Sequence, residues 1–89
     1  MKGTEKQIKW AEDIMNNALN TVNANIEHSK TSDALLTRLQ VYEEIKKMLE
    51  ESFSQVTEAS QLINARDRFD PRRINNIAQQ RENQIRAGK

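Results

Sequence analysis

The chain has 89 residues, with 14 Lys and Arg against 13 Asp and Glu, a formal net charge of +1 and a mean hydropathy of −0.88. It holds no cysteine and one histidine, which excludes a disulfide framework and a thiolate metal site and leaves His28 unable to hold a metal without carboxylate help. Two glycines and one proline provide few turns, so the composition favours an all-α fold, a small helical bundle of three main helices plus one short one in a single domain.

The first helix is expected over about 4–27. Thr4-Glu5-Lys6-Gln7 reads as a capping box, in which the Thr4 hydroxyl accepts from the Gln7 amide and the Gln7 side chain accepts from the Thr4 amide. Ile8, Ala11, Ile14, Met15, Ala18, Leu19, Val22 and Ile26 then form an apolar stripe, while Glu5, Lys9, Glu12, Asn16 and Asn23 point largely elsewhere. Trp10 lies beside the stripe, where its large ring suits a half-buried boundary or contact position. His28-Ser29-Lys30-Thr31 is the first connection, and either Thr31 or Ser32 caps the next helix.

The second helix is expected over about 33–51. Leu35, Leu39, Tyr42, Leu49 and Phe53 fall close to one line, and Leu36, Ile45 and Met48 widen it enough to meet two neighbours. Beyond this the chain either breaks at Ser52-Phe53-Ser54 or runs on. A short third helix is expected over about 58–66, capped by Thr57, with Ala59, Leu62, Ile63 and Val56 facing inward. Asp70-Pro71 starts the fourth, over about 71–86, because aspartate caps well and proline suits the first helical position. Its stripe is Ile74, Ile77, Ala78 and Ile85, interrupted by Arg81, which needs a carboxylate such as Glu44 or Glu51 or an outward path for its head.

Charge is unevenly divided. Residues 1–65 carry seven basic and ten acidic side chains, a net −3, whereas residues 66–89 carry seven basic and three acidic ones, a net +4. Opposite signs suit contact of the tail with nucleic acid or an acidic partner, or head-to-tail association of two copies.

No catalytic or cofactor constellation is recognisable, and no cofactor is expected. Glu43-Glu44 and Glu50-Glu51 are sequence neighbours, so on a helix they point about 100° apart and do not converge on a substrate. His28 near Glu27 and Asp33 is most simply explained by the helix C-terminal dipole. Gly3 and Gly88 lie at the two ends and build no phosphate loop. The N-terminus lacks the apolar stretch of a signal peptide and no run approaches a membrane span, so a cytoplasmic protein without membrane contact is expected.

Two surfaces remain. Arg72, Arg73, Asn75, Asn76, Gln79 and Gln80 carry the residue types that contact phosphates and base edges, behind a short helix and the turn Asp67 to Asp70, as in a helix-turn-helix. Alternatively Trp10, Ile74, Ile77, Arg81 and Ile85 form a protein contact, with a second copy completing a thin core as a homodimer. The first expectation is a non-enzymatic protein acting by binding another protein or itself, and the alternative is nucleic-acid binding by the last helix.

The opening Thr4-Glu5-Lys6-Gln7-Ile8-Lys9-Trp10-Ala11-Glu12-Asp13-Ile14 resembles that of a group of small uncharacterised helical proteins of Gram-positive bacteria and their phages and mobile elements, which share a Thr-Glu-Lys-Gln-Ile-x-Trp-Ala-Glu pattern. Ala59 to Arg66, with Ile63-Asn64-Ala65-Arg66, is similar to a second segment of that group, though Gln61 and Leu62 stand where an aromatic often precedes the isoleucine. The resemblance implies the helix order above and an accessory role, including that of an inhibitor binding a host protein. It carries no activity and no site residue.

Overall fold

Local chemistry places each helix end in the computed structural model, which describes residues 1–88. Helix α1 is Glu5–Ser29. The Thr4 hydroxyl accepts from the Gln7 amide at 3.2 Å and the Gln7 side-chain carbonyl oxygen accepts from the Thr4 amide at 3.0 Å, the reciprocal pairing of a capping box. The helix runs two residues past Glu27, and the Lys30 amide closes it on the Ile26 and Glu27 carbonyls. Ser32 is the next cap, its hydroxyl accepting from Ala34 at 3.2 Å, while the Thr31 hydroxyl donates backward to the His28 carbonyl.

The second element opens as a 3-10 turn, Asp33–Leu35, and becomes helix α2 only at Leu36–Ser54. It therefore runs through Phe53 rather than breaking there. Helix α3 is shorter than the expected 58–66, spanning Ala59–Asn64. Its cap is Glu58 rather than Thr57, because the Gln61 side chain folds back to accept from both the Thr57 and Glu58 amides, at 3.0 and 3.2 Å. A 3-10 turn, Arg66–Phe69, stands where the end of that helix and an open turn were expected. Helix α4 is Pro71–Ala87, with the Asp70 carboxylate accepting from the Arg72 amide at 2.8 Å and Pro71 in the first turn.

Helices α1 and α2 form an antiparallel hairpin across a short connection. The remaining chain lies against them as one broken rod. Lys2, just ahead of α1, bridges Glu58, and along α1 the Arg66 guanidinium covers Trp10 and Asn25 reaches Asn75. Along α2 the order reverses, from Phe53 against Phe69 to Arg38 against Glu82. Thus α3, its 3-10 turn and α4 run end to end, parallel to α1 and antiparallel to α2, in a bundle 47 Å long and 24 by 20 Å across. Among the described residues there is no strand, only the isolated Lys2–Glu58 bridge, and no helix is long and apolar enough to cross a membrane.

The core has two parts joined by an aromatic pair. Ala18, Val22 and Ile26 of α1 meet Val41, Tyr42 and Leu49 of α2 and Ile74 and Ala78 of α4. A smaller cluster joins Ala11 to Ala59 and Leu62, flanked by Ile8, Met15 and Val56. Phe53 and Phe69 touch both clusters, with ring centroids 5.1 Å apart and planes tilted by 58°. The N-terminal stretch of chain is tied down at this smaller end. The Lys2 amide donates to the Thr57 carbonyl and the Ala59 amide to the Lys2 carbonyl, both at 2.8 Å. Gly3, at φ +148°, makes the approach possible.

Three expectations about faces are corrected here. Met48 and Leu36, assigned to the inner face of the second helix, are exposed. On α4 the buried line is Ile74, Ala78 and Glu82, with Ile85 half-buried, so Ile77 and Arg81 fall at the edge of the helix rather than in its seam. Ile74, Ala78 and Ile85 stay inward, so the buried line turns by only about 35°, from Ile77 toward Glu82.

Candidate functional site

The residues of α4 expected to touch nucleic acid divide between two roles. Arg72, Arg73, Asn76, Gln79 and Gln80 are exposed, and Gln79 donates to Asn83 within the same face at 3.1 Å. Asn75 is also exposed, but its side chain is engaged by the neighbouring helices. Its side-chain oxygen accepts from the Tyr42 hydroxyl at 2.8 Å and from the Asn25 side-chain Nδ2 at 3.4 Å, so it joins α4 to both other helices. The helix-turn-helix expectation is also corrected. In that motif the first helix packs across the second, whereas here α3 packs chiefly on α1 and α4 chiefly on α2, and the two lie end to end.

Two turns beyond Asn75, Glu82 is buried although it carries a charge, being 2% exposed. Arg38 Nε donates to one carboxylate oxygen at 3.1 Å and Arg86 reaches the other at 2.8 Å. Two guanidinium groups thus compensate the loss of hydration. Tyr42 lies beside this group, and burial raises its phenol pKa above the ordinary 10.0, with Glu82 adding to the rise and Arg38 opposing it. The network is a structural seam of α2 and α4. The sequence signal for Glu82 was its spacing of four from Ala78 and eight from Ile74.

On the other side of that seam, α2 and α4 part slightly. Ile45, Leu49, Phe69 and Ile74 form the floor of a groove of about 180 Å³, and Met48, Ser52, Arg68 and Ile77 form its rims. The lining is mostly apolar. Met48 is 66% exposed and Ile77 46%, so two large apolar side chains face each other across the mouth. Arg81 Nε stands 3.8 Å from Glu44 at one end, the carboxylate being one of the two offered by the sequence. Of the expected protein contacts, Ile74 and Ile77 therefore belong to this groove, Arg81 flanks it, and Ile85 packs against the larger core cluster. Met48 is the contact residue that the apolar pattern assigned to the core instead.

Trp10 lies on a different surface, 47% exposed. The Arg66 guanidinium sits 5.6 Å from its ring centroid, a cation–π contact that occupies one face of the indole. His28 is exposed at the end of α1. No group of three or more His, Asp and Glu side chains able to hold a metal ion occurs among the described residues.

The chain matches no family model, no curated protein and no solved structure.

Proposed function

We propose that the chain is a non-enzymatic interaction protein that binds another protein, or a copy of itself, through the groove between α2 and α4. The observation that carries this reading is the pair Met48 and Ile77, apolar, exposed and opposed across an apolar floor. Leaving such surface in water is unfavourable by about 25 cal/mol per Å², and covering it is the ordinary driving force of protein association. The flexible thioether of methionine suits a surface that must adapt to a partner. An accessory role of the kind implied by the resemblance of the opening to small proteins of phages and mobile elements agrees with it.

The test is a photo-crosslinking amino acid placed at position 48 or 77 in the expressed protein, with Asn16, exposed on the outer side of α1, as the control position. Adducts are expected from 48 and 77 and not from 16. Equal labelling from all three positions, or none from the groove, overturns the proposal.

A second reading rests on the exposed row Arg72, Asn76 and Gln80 with Arg73 and Gln79 beside it. On this reading α4 binds nucleic acid through phosphate contacts, and affinity falls with salt at a slope of about −0.9 per neutralised phosphate on duplex DNA. An Arg72→Glu, Arg73→Glu variant then loses binding. Retention of duplex binding by that variant rules this reading out.

A further inference from the structure

We infer that the occupant of the α2/α4 groove is a second copy of this chain, related by a two-fold axis parallel to the helices. The inference rests on the groove being an interaction site and goes on to name the partner and its orientation.

Met48 and Ile77 line the groove, and the exposed helix lines that run through them, outside the groove itself, are opposite in charge and alike in pattern. On α2, Glu44, Met48 and Glu51 recur at spacings of four and three, which places them on one helical line. On α4, Arg73, Ile77 and Arg81 recur at spacings of four. Each line is an apolar residue between two charges of one sign. All six side chains are exposed. Because α2 and α4 are antiparallel, the two lines are in register, with Glu44 level with Arg81 and Met48 level with Ile77.

That register decides between the two possible isologous pairings of this face. A two-fold axis in the contact plane and parallel to the helices keeps each residue at its height and exchanges left for right. Helix α2 of one copy then lies over α4 of the other. Met48 meets the partner's Ile77, Glu44 meets the partner's Arg81 and Glu51 meets the partner's Arg73. A two-fold axis across the helices lays α2 on α2 and sets Glu44 against the partner's Glu51, a like-charge contact repeated on the arginine side. Only the parallel axis joins opposite charges on both flanks and apolar residues between them.

The size of the face sets the strength of the association. Helix α4 has 17 residues, about 26 Å of length, and two helices span about 20 Å, a footprint on the order of 500 Å². Standard interfaces bury about 800 Å² per partner, so this one is of the small, transient kind, and the inference asserts a Kd below about 500 µM.

Mass measurement by sedimentation equilibrium up to about 500 µM tests this with two charge-reversed chains. One carries Glu44→Arg and Glu51→Arg, the other Arg73→Glu and Arg81→Glu. The unaltered chain is expected to dimerise with concentration. Each variant alone opposes like charges on both flanks and is expected to associate at least about tenfold more weakly. An equimolar mixture of the two restores opposite charges and is expected to recover the dimer. Helicity by circular dichroism reports whether each variant is folded. A monomeric unaltered chain at the highest concentration, or a dimer that survives in either variant alone, overturns the inference. If the unaltered chain stays monomeric while crosslinkers at 48 and 77 still capture a different protein, the groove reading stands and self-pairing falls.

Discussion

Arg38 Nε on α2 stands 3.1 Å from the Glu82 carboxylate on α4, and Glu82 is 2% exposed while the arginine side chain is 35% exposed. The second carboxylate oxygen is held by Arg86 at 2.8 Å. A buried charge held this way contributes more to the register of two helices than to net stability, because desolvation offsets much of the attraction.

Removing one partner and removing the charge should accordingly have unequal effects. Arg38→Ala is expected to cost about 1–2 kcal/mol, less than the ~3–5 kcal/mol of a fully buried broken pair, because Arg86 remains and Arg38 is partly in water. Glu82→Leu keeps the volume and frees both arginines to reach solvent, and should lie within about 1 kcal/mol of the unaltered chain. Urea unfolding of both variants checks the order. A Glu82→Leu chain less stable than Arg38→Ala contradicts the account.

Tyr42 links the same seam to pH. Burial raises its pKa, so the folded state holds the phenolic proton more tightly than the unfolded one. Stability from this source is complete below about pH 10 and is lost as pH rises through the elevated native value. The chain has one tyrosine, so tyrosinate absorbance reads it alone. It should titrate later in buffer than in urea. Above pH 10 the unfolding midpoint should fall more steeply than in Tyr42→Phe, which at neutral pH costs about 1 kcal/mol for the lost bond to Asn75.

Gly3→Ala probes the tie between the N-terminus and α3. An added Cβ lies 3.1 Å from Gln7 Oε1 and 3.2 Å from Ala59 Cβ, at a φ of +148° that side chains rarely adopt. The expected cost is about 1–3 kcal/mol, concentrated at one end of the bundle. Hydrogen exchange should quicken at the Lys2 and Ala59 amides and leave those of α2 near Leu49 unchanged. Uniform loss of protection is the contrary result.

Arg66→Ala uncovers one face of the only tryptophan. Trp10 emission should change while stability drops by no more than about 1 kcal/mol, the value of a cation–π contact at an exposed site. An unchanged emission spectrum is the result that rejects the stacked geometry.

Strong local signals survived folding because they depend on few adjacent residues. Thr4 with Gln7, and Asp70 with Pro71, start α1 and α4 where the sequence indicates. Glu82 was legible only in part, because its spacing from Ile74 and Ala78 sets it on the buried line but does not say what compensates its charge. A carboxylate on a buried line is tolerated only when two arginines from separate places converge on it, and nothing near Glu82 announces Arg38, 44 positions away. Asn75 and Asn76 are the same residue type side by side and both exposed, and only the positions of Tyr42 and Asn25 tie one of them to the other helices. Met48 was misassigned because a wide apolar face on a helix does not reveal where its last neighbour ends. The break between α3 and α4 is likewise a tertiary matter, since the chain there must pass from the first half of α1 to the groove between α1 and α2.

That broken rod also completes the core. The smaller core cluster unites residues near position 11 with residues near position 60, and the larger one is incomplete without Ile74 and Ala78. The α1–α2 hairpin can pair on its own side of the larger cluster, but neither cluster is complete without residues from the last third of the chain. Without α4 the hairpin of α1 and α2 leaves one flank of Tyr42 and Leu49 bare, so the last helix is a structural part of the core and not an appendage to a finished hairpin.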